Sequence, residues 1–231
     1  YADGQFRAEF SEIFHGSKKY DASGSDRIQI DIVDENDDQI DYRKFRTAWQ
    51  NDNGKDRFRV IPLKMLEDGK KTEAKMQIPV IYLGLSRLFP IGEANEDKIT
   101  TKKIKFIDDE QKQWFVEQYT QILSLYDTVT DVSNYSIGET DKKKGVGIET
   151  DKYDYLTNSS GQDNLGQILM AILSFKRLKK QREEWTGGLL LIDEIDATLH
   201  PAAQKRLIDL LTKEADRKST RLNSSHHSIS Y

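Results

Sequence analysis

Apolar and polar positions alternate from Arg27 to Val33, so that Ile28, Ile30 and Ile32 share one face, the period expected of a half-buried strand. Tyr42 to Trp49 and Arg57 to Ile61 are further strand candidates, separated by the turn signal Asn51-Asp52-Asn53-Gly54, and together the segments predict an antiparallel β layer. Gln77 to Ser86 is a nearly continuous apolar run, the pattern of a buried strand, and Pro90 and Gly92 break it. From Asp108 the period lengthens. Asp108 is placed to cap a helix on which Trp114, Phe115, Tyr119, Ile122, Leu123 and Tyr126 recur at helical spacing. Asp141 to Gly147 reads as a charged, glycine-containing loop, and a second helix is predicted over Leu165 to Arg182. Leu189 to Ile192 follows as a short buried strand, then a third helix over Pro201 to Ala215 with Ala203, Leu207, Leu210 and Leu211 as its apolar stripe. At the start of the chain, Tyr1 to Phe14 reads as a helix end with a partly apolar connection, and Gly16 to Ser25 as turn-rich.

Composition narrows the classes. With 36% hydrophobic and 32% charged residues the chain is polar, but 10% aromatic residues argue against disorder. It contains no cysteine, which excludes disulfide staples and thiolate metal sites and fits a cytoplasmic setting. No apolar run approaches the length of a membrane span, and no secretory signal is visible. A formal net charge of -4 offers no overall attraction to nucleic acid, so a DNA contact would need a local basic patch. Lys102-Lys103 and Lys142 to Lys144 are the candidates for one, and both read as solvated loops. Trp49, Trp114 and Trp185 read as packing residues, and His15 as a surface residue.

The C-terminal stretch Asp216 to Tyr231, DRKSTRLNSSHHSISY, stands apart from the helical pattern before it. It resembles the forward translation of a common short-read sequencing adapter, with His227 and Ser228 where the variable index belongs. It is expected to be an artefact, so the His226-His227 pair is not read as a metal site. Without this stretch the charges are 32 basic and 38 acidic, from totals of 35 and 39 less three and one.

Chemistry concentrates in two strings. Gly187 to Asp196, GGLLLIDEID, is an apolar strand ending in adjacent carboxylates, an arrangement that presents acids to a ligand at a strand's C-terminal end. In nucleotide hydrolases the first, here Asp193, suits a small hard cation such as Mg2+. The second, Glu194, suits the orientation and deprotonation of an attacking water. About thirty residues upstream, Asn158-Ser159-Ser160-Gly161-Gln162 precedes the second helix, where hydroxyls, backbone amides and the positive end of the helix dipole can receive an anion. Either string alone also fits an ordinary strand end or an ordinary serine cap.

Order and spacing together resemble the ATP-binding-cassette (ABC) ATPases. NSSGQ is similar to their LSGGQ signature, with Ser159, Gly161 and Gln162 matching while Asn158 replaces Leu and Ser160 the first Gly. LLLIDEID resembles their Walker B motif, and Ala197-Thr198-Leu199-His200 sits where the D-loop follows. DEID and Leu199-His200-Pro201 resemble the soluble SMC, RecF and OLD (overcoming lysogenisation defect) branch of AAA-family ATPases. Pro79 to Glu93 resembles the Q-loop region of that branch, with Arg87 near the nucleotide-facing turn. The resemblance spans roughly Tyr1 to Ala215 and is strongest from Tyr153 onward.

It implies an α/β P-loop NTPase fold with an antiparallel β subdomain and an inserted helical lobe. The parts would be a β-rich portion with the Q-loop-like region over 1–107, a helical lobe with the signature over 108–182, and Walker B with the D-loop helix over 183–215. It further implies ATP and Mg2+ as cofactors, with Asp193 on the metal and Glu194 catalytic. Ser159, Ser160 and Gly161 would bind the γ-phosphate on a partner, in a head-to-tail homodimer or with a related ATPase half, and Gln162 and Arg87 are also expected to bind nucleotide. A DNA-related, phage-defence or repair role is expected, without membrane association.

Two departures bear on this. No GxxxxGK[ST] phosphate-binding loop occurs: Gly54-Lys55 is followed by Asp56, and Gly69-Lys70-Lys71-Thr72 lacks the upstream glycine. The switch histidine expected on the strand after the D-loop helix is also absent. Both gaps fall where truncation would produce them, so the chain reads as an inactive fragment of an intact ATPase. A transporter's nucleotide-binding subunit and a non-hydrolysing interaction scaffold on the same frame are the alternatives.

Overall fold

A computed structural model describes residues 16–33, 38–76, 78–104, 108–137, 144–183, 185 and 187–216. The expected segment Tyr1 to Phe14, His15 and the tail beyond Asp216 lie outside the described residues, as do Lys142 and Lys143. The described residues divide into two units, one up to Pro79 and one from Val80 onward.

The first unit is an antiparallel sheet of β1 (Gly24–Val33), β2 (Gln39–Asp52), β3 (Lys55–Met65) and β4 (Lys71–Thr72), in that order. The β2–β3 hairpin closes on Asn53 and Gly54, at φ 52° and 80°. A two-residue turn of this hand needs positive φ at both positions, which is why Asn-Gly marks it. The Asn51 side chain accepts from the Gly54 amide at 3.1 Å. Beside the turn, Trp49 packs on Phe58 with ring centroids 5.2 Å apart and donates its indole N–H to the Asp21 carbonyl at 2.7 Å. The alternation in β1 is that of a strand; Ile32 is half-buried as expected, but Ile28 and Ile30 on the same face are 56% and 45% exposed. Asp41 accepts from Lys64 and Arg43, and the lysine bond in particular holds its carboxyl down at about 2.

The second unit begins with β5 (Val80–Leu83), which pairs in parallel with β9 (Leu189–Ile192). The apolar run expected as one strand is cut short because a 3-10 turn starts at Leu85. β6 (Ile99–Lys103), β7 (Val129–Ile137) and β8 (Lys144–Thr150) form a separate antiparallel sheet. Gly145 to Gly147, expected in a loop, are therefore strand residues paired with Tyr135 to Ser133. Between β6 and β7 lies α1 (Asp109–Leu123), whose cap Asp108 accepts from the Gln111 amide at 2.8 Å. The helix stops at Ser124, in the left-handed conformation at φ 53°, which leaves Tyr126 outside it and 98% exposed.

The core forms around α2 (Ser160–Gln181), with α3 (Pro201–Asp216) beside it. Leu165 to Leu173 are buried without interruption, so the helix is enclosed on all sides, as a helix apolar around its circumference must be. Packed with it are Phe115, Tyr119 and Ile122 of α1, Val132 of β7, and Val146 and Ile148 of β8. The predicted stripe of α3, Ala203, Leu207, Leu210 and Leu211, is buried in the same cluster. No helix among the described residues is long and apolar enough to cross a membrane.

Leu207 is fully buried whereas Ile208 next to it is 46% exposed. Leu207→Ala is expected to lower unfolding free energy by about 2–5 kcal/mol and Ile208→Ala by under about 1 kcal/mol, read by urea denaturation. A carboxylate whose folded-state pKa lies below its unfolded value contributes stability above the unfolded value, and loses it as pH falls through the folded one. Asp41 should therefore contribute above about pH 4 and stop contributing near pH 2. Thermal unfolding of Asp41→Asn should accordingly fall less steeply than wild type across that window.

Candidate functional site

The two carboxylates sit where a parallel strand pair ends. The β5–β9 ladder runs to Leu83 opposite Ile192, and the Asp193 amide extends it by donating to the Leu83 carbonyl at 3.0 Å. The chain then turns sharply: Glu194 adopts φ 46°, the Ala197 amide returns to the Glu194 carbonyl at 3.1 Å, and Thr198 adopts φ 67°. Left-handed backbone costs a non-glycine residue on the order of 1 kcal/mol or more, so two such residues in one turn need outside restraint. Asp193 and Glu194 are both exposed, with the Tyr82 hydroxyl 3.4 Å from Asp193 Oδ2. Burial first, then the Asp193 charge, pushes the Tyr82 phenol above its usual value and keeps it protonated.

Ser159 and Gln162 start α2 as a capping box. Ser159 Oγ accepts from the Gln162 amide at 3.2 Å while Gln162 Oε1 accepts from the Ser159 amide at 2.7 Å. Gln162 Nε2 donates to the Tyr153 hydroxyl at 2.8 Å, so both ends of that side chain are engaged. The serine hydroxyl keeps its own proton for a further acceptor. Asn158, which departs from the signature pattern, substitutes for a strand neighbour: its side chain accepts from the Ile148 amide at 2.8 Å and donates to the Ile148 carbonyl at 3.0 Å. Gly161 lies against the turn after the acids, where an added Cβ would meet the Thr198 carbonyl oxygen at 2.4 Å. Its lack of a side chain is what lets the helix start approach that turn.

Arg87 is 3% exposed and follows β5 in the 3-10 turn Leu85–Leu88. Nη1 donates to the Leu83 and Gly84 carbonyls at 2.9 and 3.0 Å, and Nη2 donates to the carbonyls of Asp193 and Glu194, the latter at 3.0 Å. Nε donates to Asn164 Oδ1 at 2.8 Å. Burial pulls the guanidinium pKa down, and the nearby Asp193, Tyr82 and Glu194 hold it up. Asn164 in turn donates to the Ala197 carbonyl at 3.1 Å and to Thr198 Oγ1 at 3.3 Å. Tyr82 and Asn164 therefore join the candidate site, and motif reading missed both. The available signal was the polar trio Asp163, Asn164 and Gln167 interleaved with the apolar run that starts at Leu165, and all three are buried.

A cavity of about 440 Å³ lies between the start of α2 and the start of α3, lined by Ser159, Gly161, Gln162, Thr198, His200 and Arg206 among others. His200 caps α3, with its carbonyl accepting from the Ala203 and Gln204 amides at 2.8 and 3.0 Å. Asp193 and Glu194 do not line this cavity.

No group of three or more His, Cys, Asp or Glu residues able to hold a metal occurs among the described residues. Mg2+ commonly takes one or two carboxylates and completes its shell with water and phosphate oxygens, and the exposed Asp193 fits that role. The tryptophans are engaged in packing where contacts are seen, Trp49 on Phe58 and Trp114 beneath the Lys176 ammonium at 3.9 Å.

Residues 13–230 match the family described as an AAA ATPase domain. No curated protein and no solved structure matches the chain.

An added methyl at Gly161 meets backbone, whereas one at Gly92 meets nothing within 4 Å. Gly161→Ala should therefore lower stability by roughly 1–3 kcal/mol and Gly92→Ala by under about 1 kcal/mol, compared by urea unfolding.

Proposed function

Since the chain belongs to the AAA ATPase domain family, we propose that it supplies the hydrolytic acids and the signature-like helix start of a Mg2+-dependent ATPase. The phosphate-binding loop would come from residues of the parent protein outside this chain. The observation that carries the reading is the pair Asp193 and Glu194, presented to solvent at the carboxyl end of parallel β5 and β9 and followed by a turn packed on the start of α2.

In this reading Glu194 accepts the proton of the attacking water and orients it in line with the terminal phosphate. Asp193 would hold Mg2+, which when bound neutralises charge on the phosphate oxygens. The Tyr82 hydroxyl, protonated and beside Asp193, orients that carboxylate. Ser159 offers its remaining O–H, and Ser160 and Gly161 offer amides that have no acceptor inside the helix, as at any helix start. They would meet the terminal phosphate of a nucleotide held by a second copy or a related half. The separation of this face from the acids supports a head-to-tail pair in which each half serves the other's nucleotide. Membership of the soluble, DNA-related branch rests on the DEID and Leu199-His200-Pro201 strings and on the likeness of Pro79 to Glu93 to its Q-loop region.

The parent protein, recovered from its gene, should hydrolyse ATP with Mg2+. Glu194→Gln should lower kcat by about 10²–10⁴-fold while nucleotide still binds. Equal rates for the variant and wild type, or no hydrolysis by the intact parent, would overturn the proposal.

A further inference from the structure

Glu194 performs its proposed role from a backbone conformation that its residue type disfavours, at φ 46°. Something must hold it there, and the structure shows what does. The Glu194 carbonyl accepts from Arg87 Nη2 at 3.0 Å and from the Ala197 amide at 3.1 Å, and the Asp193 carbonyl accepts from the same Nη2. The guanidinium is itself fixed from two other directions, by the Leu83 and Gly84 carbonyls at the end of β5 and by Asn164 Oδ1 on α2.

Asn164 completes the arrangement. Because its oxygen faces Arg87, its amide nitrogen must face the opposite way, and there it meets the Ala197 carbonyl and Thr198 Oγ1. Arg87 thus holds the first half of the turn after β9 and Asn164 the second half, which contains the other left-handed residue, Thr198. The two side chains are joined by the 2.8 Å bond between Arg87 Nε and Asn164 Oδ1.

We infer that Arg87 and Asn164 are a positioning pair that sets the orientation of Glu194 for hydrolysis and ties it to the start of α2. The inference rests on the reading of Glu194 as the base. Arg87, 3% exposed with its donors on backbone carbonyls and Asn164, acts through Glu194 rather than by meeting the nucleotide itself. A lysine at this position carries the charge but not the planar fork needed to bridge two strand ends and an amide. Asn164→Asp keeps the acceptor for Arg87 and loses both donors to the turn.

The test uses the intact parent protein. Arg87→Lys and Asn164→Asp should each lower kcat by about 10–100-fold, the size of effect expected from small misplacement of a catalytic group, with KM for ATP held within about twofold. In the Glu194→Gln background neither change should lower the residual rate further, because the group they position is already gone. A purely structural role would lower it in both backgrounds. Without nucleotide, hydrogen exchange at the Ala197 amide should quicken in Arg87→Lys while exchange within α3 stays as in wild type. A raised KM with unchanged kcat would overturn the inference by making Arg87 a nucleotide ligand. So would equal loss in both backgrounds, or unchanged exchange at Ala197. A wild-type parent without ATPase activity would remove the functional reading, and exchange at Ala197 would then decide the positioning claim by itself.

Discussion

A guanidinium withdrawn from water costs several kcal/mol unless its N–H groups find acceptors, and in this chain Arg87 finds them on two separate pieces of backbone and one side chain. An arginine has five N–H donors in a rigid fork, and the contacts seen here engage each nitrogen. The end of β5, the turn after β9 and Asn164 near the start of α2 can take up those acceptor positions together in few ways. The demand for satisfaction therefore fixes their relative placement. That placement is what brings Asp193 and Glu194 out at the strand ends, with the helix start alongside.

The surroundings supply the rigidity. α2 is buried along most of its length, with apolar residues of α1, α3, β7 and β8 against it, so its first turn is anchored by packing. Gly161 and Asn164, on adjoining turns, then address the same Thr198: one by leaving room for its carbonyl and the other by bonding its hydroxyl. The capping box of Ser159 and Gln162 stabilises the helix start. The same few residues that cap the helix are those the proposed function assigns to an anion, which is why the NSSGQ string by itself fits both.

Much of this was legible where the determining physics is local. The Asn53-Gly54 turn, the Asp108 cap, the stripe of α3 and the adjacent acids after an apolar strand are all set by residues within a few positions of one another. What escaped was set at long range. β8 follows a lysine run and contains Gly145 and Gly147, so its composition reads as loop; pairing with β7 and cover from α2 make it a strand. The β5 run ends early because the chain must turn at Gly84 to deliver Arg87. The bond between Arg87 and Asn164 joins residues 77 positions apart, and no local pattern marks it. Ile28 and Ile30 show the converse, since alternation identified the strand without revealing that these two side chains are exposed while Ile32 is half-buried.

The central claim, that the buried Arg87–Asn164 contact organises the site, is tested most directly by a double-mutant cycle on unfolding free energy with Arg87→Met, Asn164→Leu and the pair. A direct contact inside one buried network predicts a coupling energy of about 1–3 kcal/mol, with the second substitution costing much less once the first is made. Additive losses, agreeing within about 0.5 kcal/mol, would show that the two residues act independently and would contradict the account.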